Sequence, residues 1–408
     1  MSPQGNKKRK DEEKGFVQLT VRLELRPDGE QIAAMEKTRA EYAVAFDAVS
    51  KAGWESKRIN GNEIHKATYR KVRANSDLPS QLVISARMKA VEDLKSVRAL
   101  KKQGRKVSRP VMKNPTIRFD ARSFRLDWED LQAHLTLSGG RITLPVSLCK
   151  FASKYRGLPT ASADLVKRGK RWFFHVVVNK EKPKEVKPTG RVVGVDRGIR
   201  RPAVTSTGMF LGKSCWRAIE ERLMSLRRRL QAKGTRSAKR HLKRLEDRLA
   251  RFRRDCDHVL AKELVASCEP GDMLVFEDLT HIRDKAKAKG FANRRRLHAW
   301  TFRRLESIAA YKAALAGVLM DKVDAWDTSR RCPKCGHIDG ANRRTQGVFR
   351  CVRCGFERNA DLVAAWNIRD RHRGLWAPVP RVPGRVNGPN VEEILHFFCK
   401  PRTLVRGG

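Results

Sequence analysis

The stretch Cys332-Pro333-Lys334-Cys335, followed after 15 residues by Cys351-Val352-Arg353-Cys354 and then by Asn359-Ala360-Asp361-Leu362-Val363-Ala364-Ala365-Trp366-Asn367-Ile368, decides how the rest of the chain is read. Each Cys-x-x-Cys makes a tight knuckle, and two knuckles at this separation supply four thiolates to one tetrahedral zinc. A redox pair needs only one such motif. A disulfide staple does not suit a chain with no secretory signal and five scattered further cysteines. Those five, Cys149, Cys215, Cys256, Cys268 and Cys399, are expected to be small buried side chains. A zinc ribbon is a common structural module and says little about chemistry by itself. The chemistry enters with Asp361, a lone acid seven residues after Cys354 at the head of an apolar, helix-like run.

Two more acids end strand-like runs upstream. Val192-Val193-Gly194-Val195-Asp196 reads as a buried strand entering a turn at Arg197-Gly198, and Met273-Leu274-Val275-Phe276-Glu277-Asp278 as another. Each acid alone is weak, because an aspartate at a strand end is most often a cap, and Asp278 rivals Glu277. In combination, Asp196, Glu277 and Asp361 form a candidate divalent-metal site. Phosphodiester hydrolysis needs carboxylates from different elements converging on two ions that flank the scissile phosphate. Oxygen ligands of this hardness select Mg2+ or Mn2+. The chain therefore reads as a nuclease.

Composition agrees. Over 408 residues the formal net charge is +45, far beyond what solubility requires, so a polyanionic partner is expected. No apolar run approaches the ~20 residues of a membrane span, which leaves nucleic acid as the natural partner and no membrane. Residues 1–14, with Lys7-Lys8-Arg9-Lys10, read as a solvated tail, and the cysteines as those of a reducing, cytoplasmic compartment.

The hydrophobic period divides the chain. Phe16 to Leu25 alternates as a half-buried strand and stops at Arg26-Pro27-Asp28-Gly29. A helical pattern follows to about Lys102, with Ile32, Met35, Phe46, Leu82, Met88, Val91 and Leu94 on apolar faces. From Thr116 to Val178 the period returns to two. A helical insertion within a β-barrel explains this order. The polar linker 181–190, with two prolines, marks a domain boundary. Arg217 to Asp255 holds fifteen basic against five acidic residues on two amphipathic helices broken near Gly234-Thr235. Their apolar positions are Ile219, Leu223, Leu226 and Leu230, then Leu242, Leu245, Leu249 and Phe252. Arg227, Arg228, Arg229, Lys239, Arg240, Lys243 and Arg244 are candidates for phosphate tracking, as are Arg294, Arg295 and Arg296 further on. A helix through Trp300, Leu305, Ile308 and Tyr311 leads to the ribbon. After Arg371 the chain becomes rich in Pro, Gly and Arg and is expected to be a flexible tail, with Phe397-Phe398 able to dock.

Gly194-Val195-Asp196-Arg197-Gly198-Ile199, Val275-Phe276-Glu277-Asp278-Leu279, Thr328-Ser329-Arg330-Arg331-Cys332-Pro333-Lys334-Cys335-Gly336, and Cys354-Gly355 through Asp361 to Asn367-Ile368 resemble, in order, spacing and flanks, the split RuvC nuclease of TnpB proteins and miniature type V CRISPR effectors. The resemblance is specific over about 190–370. Before that it is one of architecture. It implies an α+β multidomain fold: an N-terminal oligonucleotide-binding-like β-barrel with an inserted helical recognition lobe, then an RNase H-like (RuvC) α/β nuclease with an inserted zinc ribbon. The implied parts are a basic tail (1–15), a wedge barrel (16–28 and 110–182), a recognition lobe (29–109), a nuclease (183–328 and 356–372), a ribbon (329–355) and a tail (373–408).

The resemblance also implies an RNA-guided DNA endonuclease of a prokaryotic cell, acting as monomer or homodimer. Guide RNA would pair with target DNA, double- and single-stranded, while the protein reads a short flanking motif. Asp196, Glu277 and Asp361 would be the catalytic, Mg2+-binding triad, Cys332, Cys335, Cys351 and Cys354 the Zn2+ ligands, and Arg343 or Arg344 a scissile-phosphate contact. Two residues depart from the pattern. Arg197 stands where an apolar side chain is common, and Asn359 where many transposon-encoded members carry another aspartate. A guided DNA binder that does not cut and a transposition strand transferase are the competing classes. Within the first class, the helices around Tyr42–Lys51 and Leu78–Ser96 favour the CRISPR effector over TnpB.

Overall fold

The computed structural model describes residues 15–56, 59–198, 201–280, 302–345 and 347–376. The basic stretch 1–14, Arg294, Arg295, Arg296, Trp300, Phe397-Phe398 and Cys399 lie outside the described residues. Two units make up the chain, Met1–Lys184 and Glu185–Gly408.

In the first unit, strand β1 (Phe16–Leu25) turns Val21, Leu23 and Leu25 inward and Arg22 and Glu24 outward, as its two-residue period requires. Asp28 then starts helix α1 (Gly29–Glu55) through a capping box. The Gln31 amide donates to Asp28 Oδ1 at 2.8 Å, and Asp28 N donates to Gln31 Oε1 at 3.1 Å. Helices α2 (Gly61–Ala74) and α3 (Ser80–Lys102) complete a helical insertion between β1 and β2 (Ile117–Asp120). Phe46, Val49, Ile64, Ala90 and Val91 form a core of its own among the helices.

Strands β3 (Phe124–Asp127), β4 (Gln132–Leu137), β5 (Gly140–Ser147), β6 (Thr160–Arg168) and β7 (Arg171–Glu181) join β1 and β2 in one seven-stranded sheet, ordered β2-β6-β7-β1-β5-β4-β3. The two edge strands, β2 and β3, are consecutive in the chain and joined by a tight turn, Ser123 N donating to Asp120 O at 3.0 Å. That turn draws the edges together, so the sheet curls into a nearly closed barrel around Leu23, Phe119, Leu135 and Phe174.

In the second unit, β8 (Val192–Asp196), β9 (Ala203–Thr205) and β10 (Phe210–Leu211) form an antiparallel meander. β11 (Met273–Asp278) lies parallel to β8, and β12 (Leu319–Asp324) parallel to β11, giving the order β10-β9-β8-β11-β12. Between the strands run α4 (Ser214–Lys233), α5 (Arg236–Ala266) and α6 (Phe302–Ala316). Val193, Val195, Leu274 and Phe276 pack on one face against Leu260, Leu264 and Ile308 of α5 and α6. The other face takes α7 (Ala360–His372), with Ile368 against Val275 and Val323. The packed chain continues past His372 to Trp376, whose ring lies 3.6 Å from the Arg371 guanidinium.

Several apolar expectations are corrected. Ile32, Met88, Ile219 and Leu226 are exposed, because each helix buries a narrower stripe than its count of apolar residues suggests. Cys149 and Cys215 are also exposed and Cys256 and Cys268 only half-buried, since they sit in a loop, a first helical turn, a helix flank and the bend that follows α5.

Asp272 ties the start of β8 to the start of β11. Its side chain accepts from Thr189 Oγ1 at 2.6 Å, Glu269 N at 2.9 Å and Arg191 Nη1 at 3.0 Å. Burial raises its pKa, but Thr189, the Glu269 amide and Arg191 together outweigh burial and hold it below the usual carboxylate range. Such a group stabilises fully above its unfolded pKa of about 3.9 and loses that contribution as pH falls through the lower folded value. Asp272→Ala is therefore expected to cost about 2 kcal/mol at neutral pH in urea melts, with the gap to the parent closing in acid. A gap that does not change with pH would remove the ionised Asp272 from the account.

Candidate metal centres

The three candidate acids reach one place by strand period and helix phase. Val275 faces Gly194 across the parallel β8/β11 ladder and Phe276 faces Val195, so Asp196 and Glu277, each one residue further on, stand side by side at the strands' carboxyl ends. Residues 194, 196, 275 and 277 share the face covered by α7, by the alternation of a strand. Gly194 is what lets α7 come so near. A Cβ there would lie 2.3 Å from Ala365 O and 2.7 Å from Arg369 N. Trp366 Nε1 donates to Ser206 O at 2.9 Å, and Ser206 Oγ accepts from Gly194 N at 3.0 Å, fixing the helix lengthwise. Asp361 in the first turn of α7 is thereby carried to the same end of the sheet. Asn359 caps that helix, its Oδ1 accepting from Asp361 N at 3.1 Å and Leu362 N at 3.2 Å. Asp278, the rival of Glu277, points to the opposite face, is exposed, and accepts from Thr280 N at 3.0 Å.

Asp196 is 9% exposed and Glu277 8%. Burial, then Glu277, then Asp361 push the Asp196 carboxyl well above its ordinary range, against Arg343 and Arg197. Burial raises Glu277 as well, opposed by the Thr328 hydroxyl and by Arg197, Arg343 and Arg371. Asp196 and Glu277 are thus crowded together in a buried place with Asp361 beside them, and the nearby arginines offset the crowding only in part, an arrangement an oxygen-ligand metal site could use. Arg343 Nη2 bonds Asp361 Oδ1 at 3.0 Å, while Arg344 is exposed.

Arg197, out of pattern in the sequence, is buried and holds the site from behind. Its guanidinium donates to the Glu277 carbonyl, bonds Glu306 Oε2 at 3.1 Å and stacks 5.0 Å from the Phe276 ring centre.

The four cysteines form the second centre. Cys332 Sγ and Cys354 Sγ are 3.7 Å apart, and Cys335 Sγ and Cys351 Sγ 3.6 Å. A zinc tetrahedron with Zn–S of about 2.3 Å has S···S edges of about 3.8 Å, so the thiols fit zinc and are far from the ~2.05 Å of a disulfide. Both knuckles are built alike. Cys332 N donates to His337 O and Cys351 N to Phe356 O, each at 2.8 Å, and the second knuckle is the tip of a short hairpin of β13 (Val348–Arg350) and β14 (Glu357–Asn359), which runs on into α7. All four sulfurs lie within 4.8 Å of one another. Among the described residues the three carboxylates do not form so tight a group.

Three buried polar residues that the sequence reading passed over knit the centres together. Asn342 Nδ2 donates to Arg330 O at 2.8 Å and His337 O at 3.2 Å, and its Oδ1 accepts from Val352 N at 2.9 Å, which clamps one knuckle to the other. Asn367 Nδ2 donates to Thr328 O and Arg331 O, both at 2.8 Å. The Thr328 hydroxyl donates to Glu277 Oε1. Only Asn367 and Thr328 stand in quoted motifs, and neither motif tells which atoms they reach.

Helices α4 and α5 form a hairpin closed by Leu223, Leu245 and Leu249, with Gly234 left-handed at the break. Arg227 is engaged by Glu246 at 3.0 Å. Arg228, Arg229, Lys239, Arg240, Lys243 and Arg244 are exposed. Among the described residues no helix is long and apolar enough to cross a membrane.

With this geometry in hand, known proteins can be compared. Residues 302–368 match the family model "Cas12f1-like, TNB domain", and residues 175–280 the model "Probable transposase". The CRISPR-associated endodeoxyribonuclease Cas12f1 of Sulfoacidibacillus thermotolerans is 31% identical over 219 residues, covering 49% of this chain and 50% of that protein. The putative RNA-guided DNA endonuclease InsQ of Escherichia coli K12 is 30% identical, covering 48% and 53%. The chain spans about half the length of these curated relatives. A solved Cas12f1 complex with single-guide RNA and target DNA superposes with a TM-score of 0.62 at 13% identity over 87% of this chain and 99% of that one, a likeness of fold. The resemblance to TnpB proteins and miniature type V effectors stands, on matches from both sides of that group.

Cys351→Ser is expected to lose zinc, measured by metal analysis, and to melt well below the parent, because zinc binding is folding energy in a ribbon this small. Retained zinc and an unchanged melt would overturn the four-thiolate assignment. Asp196→Asn relieves charge crowding. A carboxyl whose folded pKa is raised destabilises the fold as pH climbs above its unfolded value, so without added magnesium the variant should melt about 2–4 °C above the parent at pH 8 and match it near pH 4. A lower melt at pH 8 would contradict the crowding.

Proposed function

We propose that the chain is an RNA-guided, divalent-metal-dependent DNA endonuclease of the miniature type V kind, cutting target DNA at one RuvC-like site after a short flanking motif is recognised. The observation that carries this reading is the convergence of Asp196, Glu277 and Asp361, from two parallel strand ends and a helix start, beside a ribbon that matches the Cas12f1-like model. The strand order β10-β9-β8-β11-β12, with helices on both faces, supports an RNase H-like reading of this unit, in which the ribbon between β12 and α7 would be the insertion. The first unit would be the wedge barrel with its recognition lobe. A cytoplasmic setting fits the unpaired thiols.

Bound Mg2+ or Mn2+ would supply a water of lowered pKa and a counter-charge for the leaving oxygen. The chain's own part is to hold the carboxylates. Asp196 and Glu277 present acceptor oxygens from rigid strand ends, Arg197 fixes the Glu277 backbone, and Asp361 adds its carboxylate from the α7 start. Arg343, already beside Asp361, is placed to meet the negative charge of a phosphodiester, and exposed Arg344 to follow the strand. The basic hairpin of α4 and α5 offers a surface for the guide RNA backbone, whose contacts weaken with salt.

A transposon-encoded TnpB is the second reading, favoured by the match of residues 175–280 to a transposase model. RNA recovered with the protein from its native locus separates the two. One scaffold joined to many spacers means a CRISPR effector, and a single RNA reading past a transposon end means TnpB.

Asp196→Ala or Glu277→Ala is expected to lower magnesium-dependent cutting by about 10³-fold or more, with guide and target binding within about twofold of the parent. Full cutting by either variant contradicts the triad. Joined instead of cleaved products would favour the strand transferase.

A further inference from the structure

Thr328 belongs to the run that precedes the first knuckle, and the nuclease reading leaves its purpose open. It is 1% exposed, and its hydroxyl donates to the carboxylate of Glu277 and reaches Ala325 O at 3.1 Å. We propose that Thr328 is a positioning residue that sets the orientation of the Glu277 carboxylate, and that through Asn367 it makes this orientation depend on the folded zinc ribbon. The proposal rests on the reading of Glu277 as a divalent-metal ligand.

Glutamate has three side-chain torsions, and a strand end fixes none of them. Arg197 donates to the Glu277 backbone carbonyl, which fixes the backbone and not the carboxylate's torsions. Thr328 is the donor on that carboxylate, and as a β-branched residue it has few rotamers of its own to choose from. Its backbone is held in turn by Asn367, which spends both amide hydrogens on the approach to the ribbon, at Thr328 O and Arg331 O. Arg331 directly precedes Cys332 and bridges to Ile338 across the first knuckle. Asn342 carries the connection on, from Arg330 O and His337 O of the first knuckle to Val352 N of the second. Hydrogen bonds of the buried Asn342, Asn367 and Thr328, together with the backbone between them, thus link the two knuckles to one carboxylate oxygen. Loss of the tetrahedral grip would release the two knuckles from each other, then the Arg330 and Arg331 carbonyls, then Thr328. Partners of this kind, one bond behind a metal ligand, commonly alter metal affinity or activity 10- to 100-fold.

The test is manganese binding to the zinc-loaded, full-length protein, read by the electron paramagnetic resonance signal of free Mn2+, together with the magnesium dependence of cutting. Thr328→Val keeps the shape and removes the donor. It is expected to weaken Mn2+ binding about 10-fold or more and to shift cutting to higher magnesium, while zinc content stays at the parent's value. Thr328→Ser restores the hydroxyl and should return both measurements to within about threefold of the parent. If valine does not fold, Thr328→Ala removes the same donor without the added methyl and carries the same expectation. Parent-like Mn2+ binding in the valine or alanine variant overturns the proposal, and so does a serine variant as weak as valine. A parent that binds no Mn2+, or a Glu277→Gln variant that binds it normally, overturns the underlying metal-site reading instead.

Discussion

The approach of α7 to β8 at Gly194 is the contact on which the second unit depends. No side chain larger than hydrogen fits there, because a Cβ would collide with the backbone of Ala365 and Arg369. With the helix seated that deeply, Asp361 reaches the carboxyl ends of β8 and β11, and Asn367 reaches back to the ribbon. The same seating holds two buried carboxylates, Asp196 and Glu277, next to half-buried Asp361 at an energetic cost. That cost is the plainest physical sign of function in the molecule, since like charges are held in a low-dielectric site only when the surroundings compel it.

Around those acids the chain spends buried polar groups freely. Arg197 and Thr328 converge on Glu277, one at the backbone and one at the carboxylate, and Arg343 sits on Asp361. Most of these groups come from the ribbon or its flanks. The ribbon is therefore more than a separate folded ornament: its Arg343 and the Thr328 of its flank both reach the acids at the strand ends.

Much of this was legible in the sequence because the determining features are local and periodic. The Cys-x-x-Cys pairs announce their own geometry, and the period of two in Phe16–Leu25 and Val192–Asp196 gives both strand and facing. The break at Gly234-Thr235 could be read for the same reason, a left-handed residue followed by a capping one. Exposure was read less well. Ile32, Met88, Ile219 and Leu226 sit on amphipathic helices whose buried stripe is set by the partner's width, which no local pattern encodes. The exposed Cys149 and Cys215 likewise depend on where loops and first turns happen to face. The site's supporting residues were hidden for a different reason. Thr328, Asn342 and Asn367 act across sequence separations of 51, 10 and 39 residues, so their meaning appears only once the strands and helix are assembled. Arg197 looked like a departure because an apolar position was the comparison; in place, its guanidinium meets the Glu306 carboxylate and the Phe276 ring.

The central claim is that Asp196, Glu277 and Asp361 jointly hold divalent cations. Crystals of the protein grown with manganese, measured at a wavelength where manganese scatters anomalously, address it most directly. The account predicts anomalous peaks about 2.2 Å from oxygens of all three carboxylates, with the Arg343 guanidinium displaced from Asp361. Peaks confined to the exposed Asp278 and Asp324, paired across β11 and β12, would contradict it, and so would an occupied zinc ribbon beside three carboxylates with no ion between them.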